Sequence, residues 1–324
     1  MTILVTGGTG LVGNNVVRAL LAKGQRVRLL LRDPSDPRPL SGLDVETTLG
    51  DICDAESLTA ACRGVAAVVH AAAMVHIGWT RYEQQYAVNV TGAQNVAQAA
   101  RAAGARLVHV SSVDALGIGT ANAPADEESP RGGKTPCGYV TTKIAAEEAI
   151  RTEISHGLDA VIVNPGFMLG PWDWKPSSGQ MLLQVVKRFT PVAPRGGMSL
   201  CDVRDVAEGI CAAIERGQSG RNYILGGHNM SYLEAWKLFA RICGGHSPFG
   251  RAGVLGPALI GICGDLKTKL TGREGEVNSA AVKMSNLFHY YRSDRAAAEL
   301  GYAIRPAEKT VADAWQWFRE FGYV

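Results

Sequence analysis

The sequence predicts an α/β fold: a doubly wound parallel sheet followed by a smaller, mostly helical lobe. Three observations carry this. A strand, a glycine turn and a helix open the chain at Ile3-Leu4-Val5, Thr6 to Gly13 and Asn14 to Lys23. Short β-forming apolar runs then alternate with helical stretches. After Pro165 that rhythm stops, and residues 166 to 200 carry four prolines and the cluster Trp172-Asp173-Trp174-Lys175.

Each element has its own signal. Val16, Val17, Leu20 and Leu21 recur at helical spacing, and Lys23-Gly24 stops that helix. Val27 to Leu31, Val45 to Leu49 and Val65 to His70 read as the next strands. Tyr82 to Ala103 is a long helix closed by Gly104, followed by a fifth strand over Leu107 to Val110. Gly138 to His156 is helical, and Ala160 to Val163 is a sixth strand ending at Asn164-Pro165-Gly166. In the second half a short helix covers Met181 to Phe189, and a helix and strand over 202 to 225 can return to the sheet. Ser231-Tyr232-Leu233-Glu234 is a capping box for a helix to Ile242. The expected division is a dinucleotide-binding domain over 1–165, with 201–228 returning to it, and a substrate lobe over 166–324.

Composition excludes several classes. The chain has 324 residues, 46% hydrophobic and 19% charged, which suits a globular protein with ample core. A net charge of +3 without Lys/Arg runs gives no footprint for nucleic acid. Seven scattered cysteines without a C-x-x-C pair read as reduced thiols, not a disulfide frame or a metal site. The first strand begins almost at Met1, so no signal peptide is expected and a cytoplasmic location is. Ala252 to Cys263 is the most apolar late stretch, too short and too interrupted by Gly and Pro to span a bilayer. It is expected as a buried or amphipathic helix of the substrate lobe, with contact at a membrane surface the other reading.

The opening motif is a phosphate site. A helix N-terminus offers free N–H groups and positive dipole, and glycines let a pyrophosphate approach the backbone. The glycines fit two registers, Gly7, Gly10 and Gly13, or Gly8, Gly10 and Gly13. At the end of the second strand, an acidic residue would favour the free ribose hydroxyl of NAD and an arginine the 2′-phosphate of NADP. Arg32 stands there and predicts NADP, although Asp33 beside it leaves NAD open. Asp51-Ile52, after the third strand, is placed for the adenine.

Tyr139 and Lys143 lie four apart and project from one helix face. A phenol of ordinary pKa, about 10, is a poor base at neutral pH. A nearby ammonium and an oxidised nicotinamide would lower it, so that Tyr139 exchanges a proton with a carbonyl or alcohol oxygen. Ser111-Ser112 ends the fifth strand where ligand should lie and can polarise that oxygen. Asn89 reads either as a buttress of the site or as a plain buried amide.

Together these residues resemble the extended short-chain dehydrogenase/reductases of the NAD-dependent epimerase/dehydratase type, a group including dihydroflavonol reductases and nucleotide-sugar epimerases. The resemblance rests on Thr6 to Gly13, Gly50-Asp51-Ile52, His70-Ala71-Ala72-Ala73, Asn89-Val90-Thr91-Gly92 and Ser111-Ser112. It continues through Tyr139 to Lys143, Asn164-Pro165-Gly166 and Asp202 to Ala207. Leu31 to Pro34, Tyr223 to Gly227 and Glu299 to Tyr302 look most like bacterial dihydroflavonol-reductase-like proteins, including hopanoid-associated sugar epimerases.

The resemblance implies a Rossmann fold, Ser112 rather than Ser111 as the catalytic serine, Tyr139 as acid/base, and Lys143 on the nicotinamide ribose. It implies cofactor contacts at Gly7, Thr9, Gly10, Leu11, Val12, Gly13, Arg32, Asp51, Ile52, Ala71, Ala72 and Asn89, with Pro165 and Phe167 lining the nicotinamide. It also implies homodimers paired through the helices bearing Asn89 and Tyr139.

Two departures stand out. Sugar-nucleotide enzymes of this fold place an arginine shortly before the Asp202 motif, where this chain has Met198-Ser199-Leu200-Cys201. Arg204 sits inside a motif that is usually neutral or acidic there. Expected substrate liners are Ile77-Gly78-Trp79, Tyr82, Phe167-Met168, Trp172 and Trp174, with Lys175 open to an anion. The reading is an NADP-dependent oxidoreductase acting on the carbonyl or secondary alcohol of a small, aromatic or apolar substrate. Its rivals are an epimerase or dehydratase of a sugar-like substrate and a non-enzymatic NADP sensor.

Overall fold

The computed structural model describes residues 1–275 and 277–324. Its centre is a seven-stranded parallel sheet built from β1 (Thr2–Thr6), β2 (Arg26–Leu31), β3 (Glu46–Leu49), β4 (Ala67–His70), β5 (Arg106–Val110), β6 (Ala160–Pro165) and β10 (Asn222–Leu225). The spatial order is β10-β6-β5-β4-β1-β2-β3. Strand order therefore reverses between β1 and β4, which opens a crevice at their carboxyl ends.

Helices cover both faces. On one side α1 (Leu11–Ala22), α7 (Val203–Arg216) and α11 (Asp294–Leu300) bury Val16, Val17, Leu20, Val206, Ile210 and Leu300. On the other, α2 (Ala55–Ala61), α4 (Gly92–Ala102) and α5 (Gly138–Ser155) bury Leu58, Val96, Ala100, Ala146 and Ile150. Each Val, Leu and Ile among these is worth about 1.5–3 kcal/mol against leaving it exposed.

The second lobe has its own core. α6 (Ser178–Lys187), α8 (Tyr232–Cys243) and α12 (Ala307–Glu320) pack Leu182, Phe239, Trp317 and Phe318 against a second sheet. That sheet is β7 (Phe167–Leu169), β9 (Gly197–Asp202) and β11 (His228–Ser231), in the order β11-β9-β7. A two-stranded ribbon joins β8 (Val192–Ala193) to β12 (Gly250–Arg251), and α9 (Leu255–Thr271) packs on α10 (Ser279–Ser285).

Several expectations change in detail. α1 begins at Leu11, three residues early, because the glycine turn runs straight into the helix. β6 continues through Asn164 and Pro165, which pair with Ile224 and Leu225. The long helix runs as α3 (Tyr82–Tyr86), a π-helical turn over Ala87–Thr91, and then α4. α2 had no apolar period to announce it; Asp54 caps it by accepting from the Glu56 N–H at 3.0 Å. The lobe is mostly helical, as expected, and adds the short strands β7, β9 and β11, which no apolar run announces. The Ser231–Glu234 capping box forms as expected.

Candidate active site

β1 ends in the crevice, and its last residues turn sharply into α1. Gly7 has φ +72°, and a Cβ there would lie 2.6 Å from the Ala72 nitrogen. At Gly13 a Cβ would fall 2.2 Å from the Gly7 carbonyl oxygen. Gly10 would meet only that same oxygen, at 3.4 Å, so its outer side stays open. Gly10 caps α1 without a side chain, which leaves the N–H groups of Leu11, Val12 and Gly13 without intrahelical acceptors. Gly7 and Gly13 thus have a steric reason and Gly10 leaves room for a ligand, whereas Gly8 faces only the flexible end of Leu29. A cradle that a side chain would fill, at a helix N-terminus, fits a dinucleotide pyrophosphate.

The cleft continues along Thr6 to Gly10, Leu31, Arg32, Asp51, Ile52 and Ala71 to Ala73, and Lys175 closes it from the second lobe. Lys175 therefore sits beside the cofactor cleft and not on the substrate side. Two acids here are already engaged: Asp33 accepts from the Ser35 N–H at 2.8 Å, and Asp36 takes a forked bond from Arg38 at 2.8 and 2.9 Å. Arg32 is exposed in the cleft.

Asn89 sits in the π-helical turn, fully within the protein. Its Oδ1 accepts from the Met74 N–H at 2.7 Å, and its Nδ2 donates to Met74 O and to Thr142 Oγ1 at 3.0 and 3.1 Å. It is absent from the cleft lining, where Val88 appears, so it buttresses the loop after β4 and the helix bearing Tyr139.

Ser112, Tyr139 and Lys143 come together at the carboxyl edge of the sheet. Ser112 follows β5, and its Oγ accepts from the Asp114 N–H at 3.1 Å. Ser111 is different: its Oγ donates to Glu147 at 2.7 Å. Lys143 is buried, donates to Val110 O at 3.2 Å and keeps Nζ 6.0 Å from the Tyr139 ring centre. Burial lowers its pKa to about 8, with Glu147 and Asp114 opposing the drop. The Tyr139 phenol is pushed well up, first by burial and then by Asp114, against a hydrogen bond to Ser112. The expected lowering by Lys143 is not seen here; burial and the Asp114 charge set the upward direction. The phenol is therefore held in its neutral form at neutral pH.

The substrate side is an apolar pocket. Pro165, Gly166, Phe167 and Met168 form one wall, and Val75, Ile77, Met181, Met198, Tyr232 and Met284 the others. Its polar groups are Ser111, Ser112, Asp114, Tyr139, Ser177, Ser178, Ser199 and His289. Asp114 is pushed up by burial, but His289, Lys134 and Ser112 outweigh this and hold it at about 2. His289 Nδ1 lies 3.4 Å from its Oδ1.

Other expected liners lie elsewhere. Trp172 and Trp174 pack on Trp317 and Phe321, and Arg18 stacks over Trp172 at 3.3 Å. Their aromatic surface is spent on the lobe's core. Trp79 is tied to Glu274 and Ser279 outside the pocket, and Gly78 and Tyr82 do not line it. Arg204 forks onto Asp202 and reaches Asp313 at 2.7 Å, so it clamps α12 to the start of α7.

Glu147, Asp114 and His289 were not singled out from the sequence. Glu147 had a signal, since it continues the Tyr139–Lys143 helix face by one more turn. It is fully buried and collects Ser111, Asn164, Asn222 and Arg131. His289 and Met284 are brought in by tertiary packing alone.

A Rossmann sheet with this cradle and this serine, tyrosine and lysine defines a nicotinamide-dependent oxidoreductase. The chain belongs to the NAD dependent epimerase/dehydratase family, whose profile matches residues 3–226. It is 36% identical over 99% of its length, and 95% of the relative's, to the "Putative dihydroflavonol 4-reductase" of Synechocystis sp.. It is 33% identical to "Sterol demethylase protein B" of Methylococcus capsulatus, with both chains covered completely. The crystal structure of gox2253 superposes with a TM-score of 0.87 at 36% identity, covering 99% of this chain and 98% of that one. Among the described residues, no helix is long and apolar enough to cross a membrane.

Proposed function

We propose that this enzyme reduces a ketone on an apolar molecule to a secondary alcohol, with NADPH as the preferred cofactor. The observation that carries this reading is the pocket beside Tyr139. Four methionines and Phe167 line it, and no arginine or lysine does, so a nucleotide diphosphate would find no cation there.

A nicotinamide bound in this cleft would supply the hydride. Ser112 Oγ hydrogen-bonds the substrate carbonyl, and Tyr139 gives its phenolic proton to that oxygen as charge develops on it. Lys143 would hold the nicotinamide ribose and support the phenolate left on Tyr139. Pro165 and Phe167 would back the ring, while the apolar walls keep water from the reacting carbon. Arg32 and Lys175 take the 2′-phosphate.

The test is NADPH oxidation by the purified protein with a panel of alkyl, aryl and alicyclic ketones, alongside sugar nucleotides. Turnover of apolar ketones that Tyr139→Phe abolishes, with NADPH affinity kept within about threefold, supports the reading. Conversion of a sugar nucleotide without added NADPH overturns it in favour of an epimerase or dehydratase.

A further inference from the structure

α9 wears its apolar face outward. Leu255, Leu259, Ile262, Leu266 and Leu270 recur at spacings of four, three, four and four, which puts them on one stripe of a helix about 25 Å long. Each of the five is 56–79% exposed. The opposite side is the one that packs. A Cβ at Gly261 would lie 3.0 Å from Ser279 Cα, and one at Gly264 would lie 2.1 Å from Val277 O. Small residues thus seat the helix on α10 while its large aliphatic side chains face away. Phe249 and Val254, also exposed, extend the apolar surface beyond the helix start. Monomeric soluble proteins rarely leave such a continuous apolar patch to water.

Among the described residues of 249–275, the exposed charges have one sign. Arg251, Lys267, Lys269 and Arg273 are exposed. The acids of residues 249–275 turn inward: Asp265 accepts from the Ser279 N–H at 3.0 Å, and Glu274 binds His76, Trp79 and Thr80. Lys267 and Lys269 flank the stripe on its two sides. Their stems can lie along an apolar surface while the ammonium groups reach past it.

The geometry points to a lipid leaflet with anionic headgroups as the occupant of this face. Shallow burial of the stripe would remove its apolar area from water, with the flanking lysines at headgroup phosphates. A two-fold pairing of the same face in two copies would bring like charges together, since an isologous contact must complement itself. The location has a use, which rests on the apolar-ketone reading above. α10 carries Met284 into the substrate pocket, so the leaflet would lie one helix layer from the site.

The test is co-sedimentation of the full chain with vesicles of phosphatidylcholine alone or with phosphatidylglycerol added. The expected result is binding to the anionic vesicles, weakened by salt and about tenfold lower in the Leu259→Glu/Leu266→Glu variant. Lys267→Glu/Lys269→Glu should lose the preference for phosphatidylglycerol. Both variants change exposed side chains, and unaltered circular dichroism and NADPH binding identify them as folded. Wild-type protein that stays in the supernatant with every vesicle overturns the proposal. So does a dimer in sedimentation velocity that the leucine variant dissociates while vesicle binding is unmoved, which would assign the face to a second copy. Failure of ketone reduction with vesicle binding intact would strike the functional reading alone.

Discussion

Glu147 and Ser111 meet in the buried gap between α5 and β5, carboxylate oxygen to hydroxyl at 2.7 Å. That bond separates the serine pair: Ser111 fixes the helix to the sheet and Ser112 is left for the pocket. The same carboxylate accepts from Asn164 at 2.7 Å and pairs with Arg131 at 3.0 Å. Glu147→Gln keeps the shape but removes the charge. It should cost about 2–4 kcal/mol of stability in urea unfolding. Because Glu147 opposes the fall of the Lys143 pKa, the variant should also move the decline of NADPH affinity with pH below about 8. An unmoved profile would mean that the two charges are not coupled.

Arg32 is exposed in the cleft while both neighbouring acids are engaged, so its guanidinium is available to a phosphate. Arg32→Ala should weaken NADPH binding about 10- to 100-fold in a fluorescence titration and leave NADH within about threefold. Lys175→Ala should act in the same direction and less strongly. Equal losses for both cofactors would show that neither residue reads the 2′-phosphate.

The glycines of the turn should separate by function. Gly13→Ala drives a methyl into the Gly7 carbonyl and should lower both thermal stability and cofactor affinity. Gly10→Ala has room in the folded chain and should leave the melting temperature within about 2 °C while still cutting affinity. Intact cofactor binding in the Gly10 variant would put the pyrophosphate elsewhere.

His70 and His109 stand side by side on β4 and β5, ring centres 5.3 Å apart, and both are buried. Burial, with Lys143 nearby, holds His70 at about 3, and burial likewise puts His109 well below the ordinary 6.5. The unfolded chain therefore binds protons first as pH falls. Stability should be flat above about pH 6.5 and drop below it, by about 1.4 kcal/mol per pH unit for each histidine. The His109 nitrogens have no hydrogen-bond partner, so His109→Leu should not destabilise the protein at neutral pH. Urea midpoints between about pH 7 and pH 5 should show a shallower slope for that variant. An unchanged slope would place the acid sensitivity in other groups.

The sheet and the glycine cradle could be read from the sequence because their signals are local. A strand, a turn and a helix lie within the first 22 residues, and each later strand is a compact apolar run. Tyr139 and Lys143 were legible for the same reason, as one turn of one helix. The pocket wall was not. Met284 and His289 come from a distant part of the chain, and no spacing links them to Tyr139. Trp172 and Trp174 misled because an aromatic pair looks the same in a lobe's core as in a binding site. Arg204 had no meaning until Asp313 arrived from α12.

β10 places the last strand of the main sheet outside the first half of the chain. Asn222 on that strand donates to Asn164 on β6, 58 residues earlier, and to the Glu147 carboxylate. During synthesis the β6 edge must therefore wait, with open backbone groups and a buried charge lacking one donor, until β10 has been translated, after β7, α6, β9 and α7. Cutting the chain at residue 165 would strand that edge permanently. A fragment meant to isolate cofactor binding must extend past Leu225, and residues 166–221 come with it.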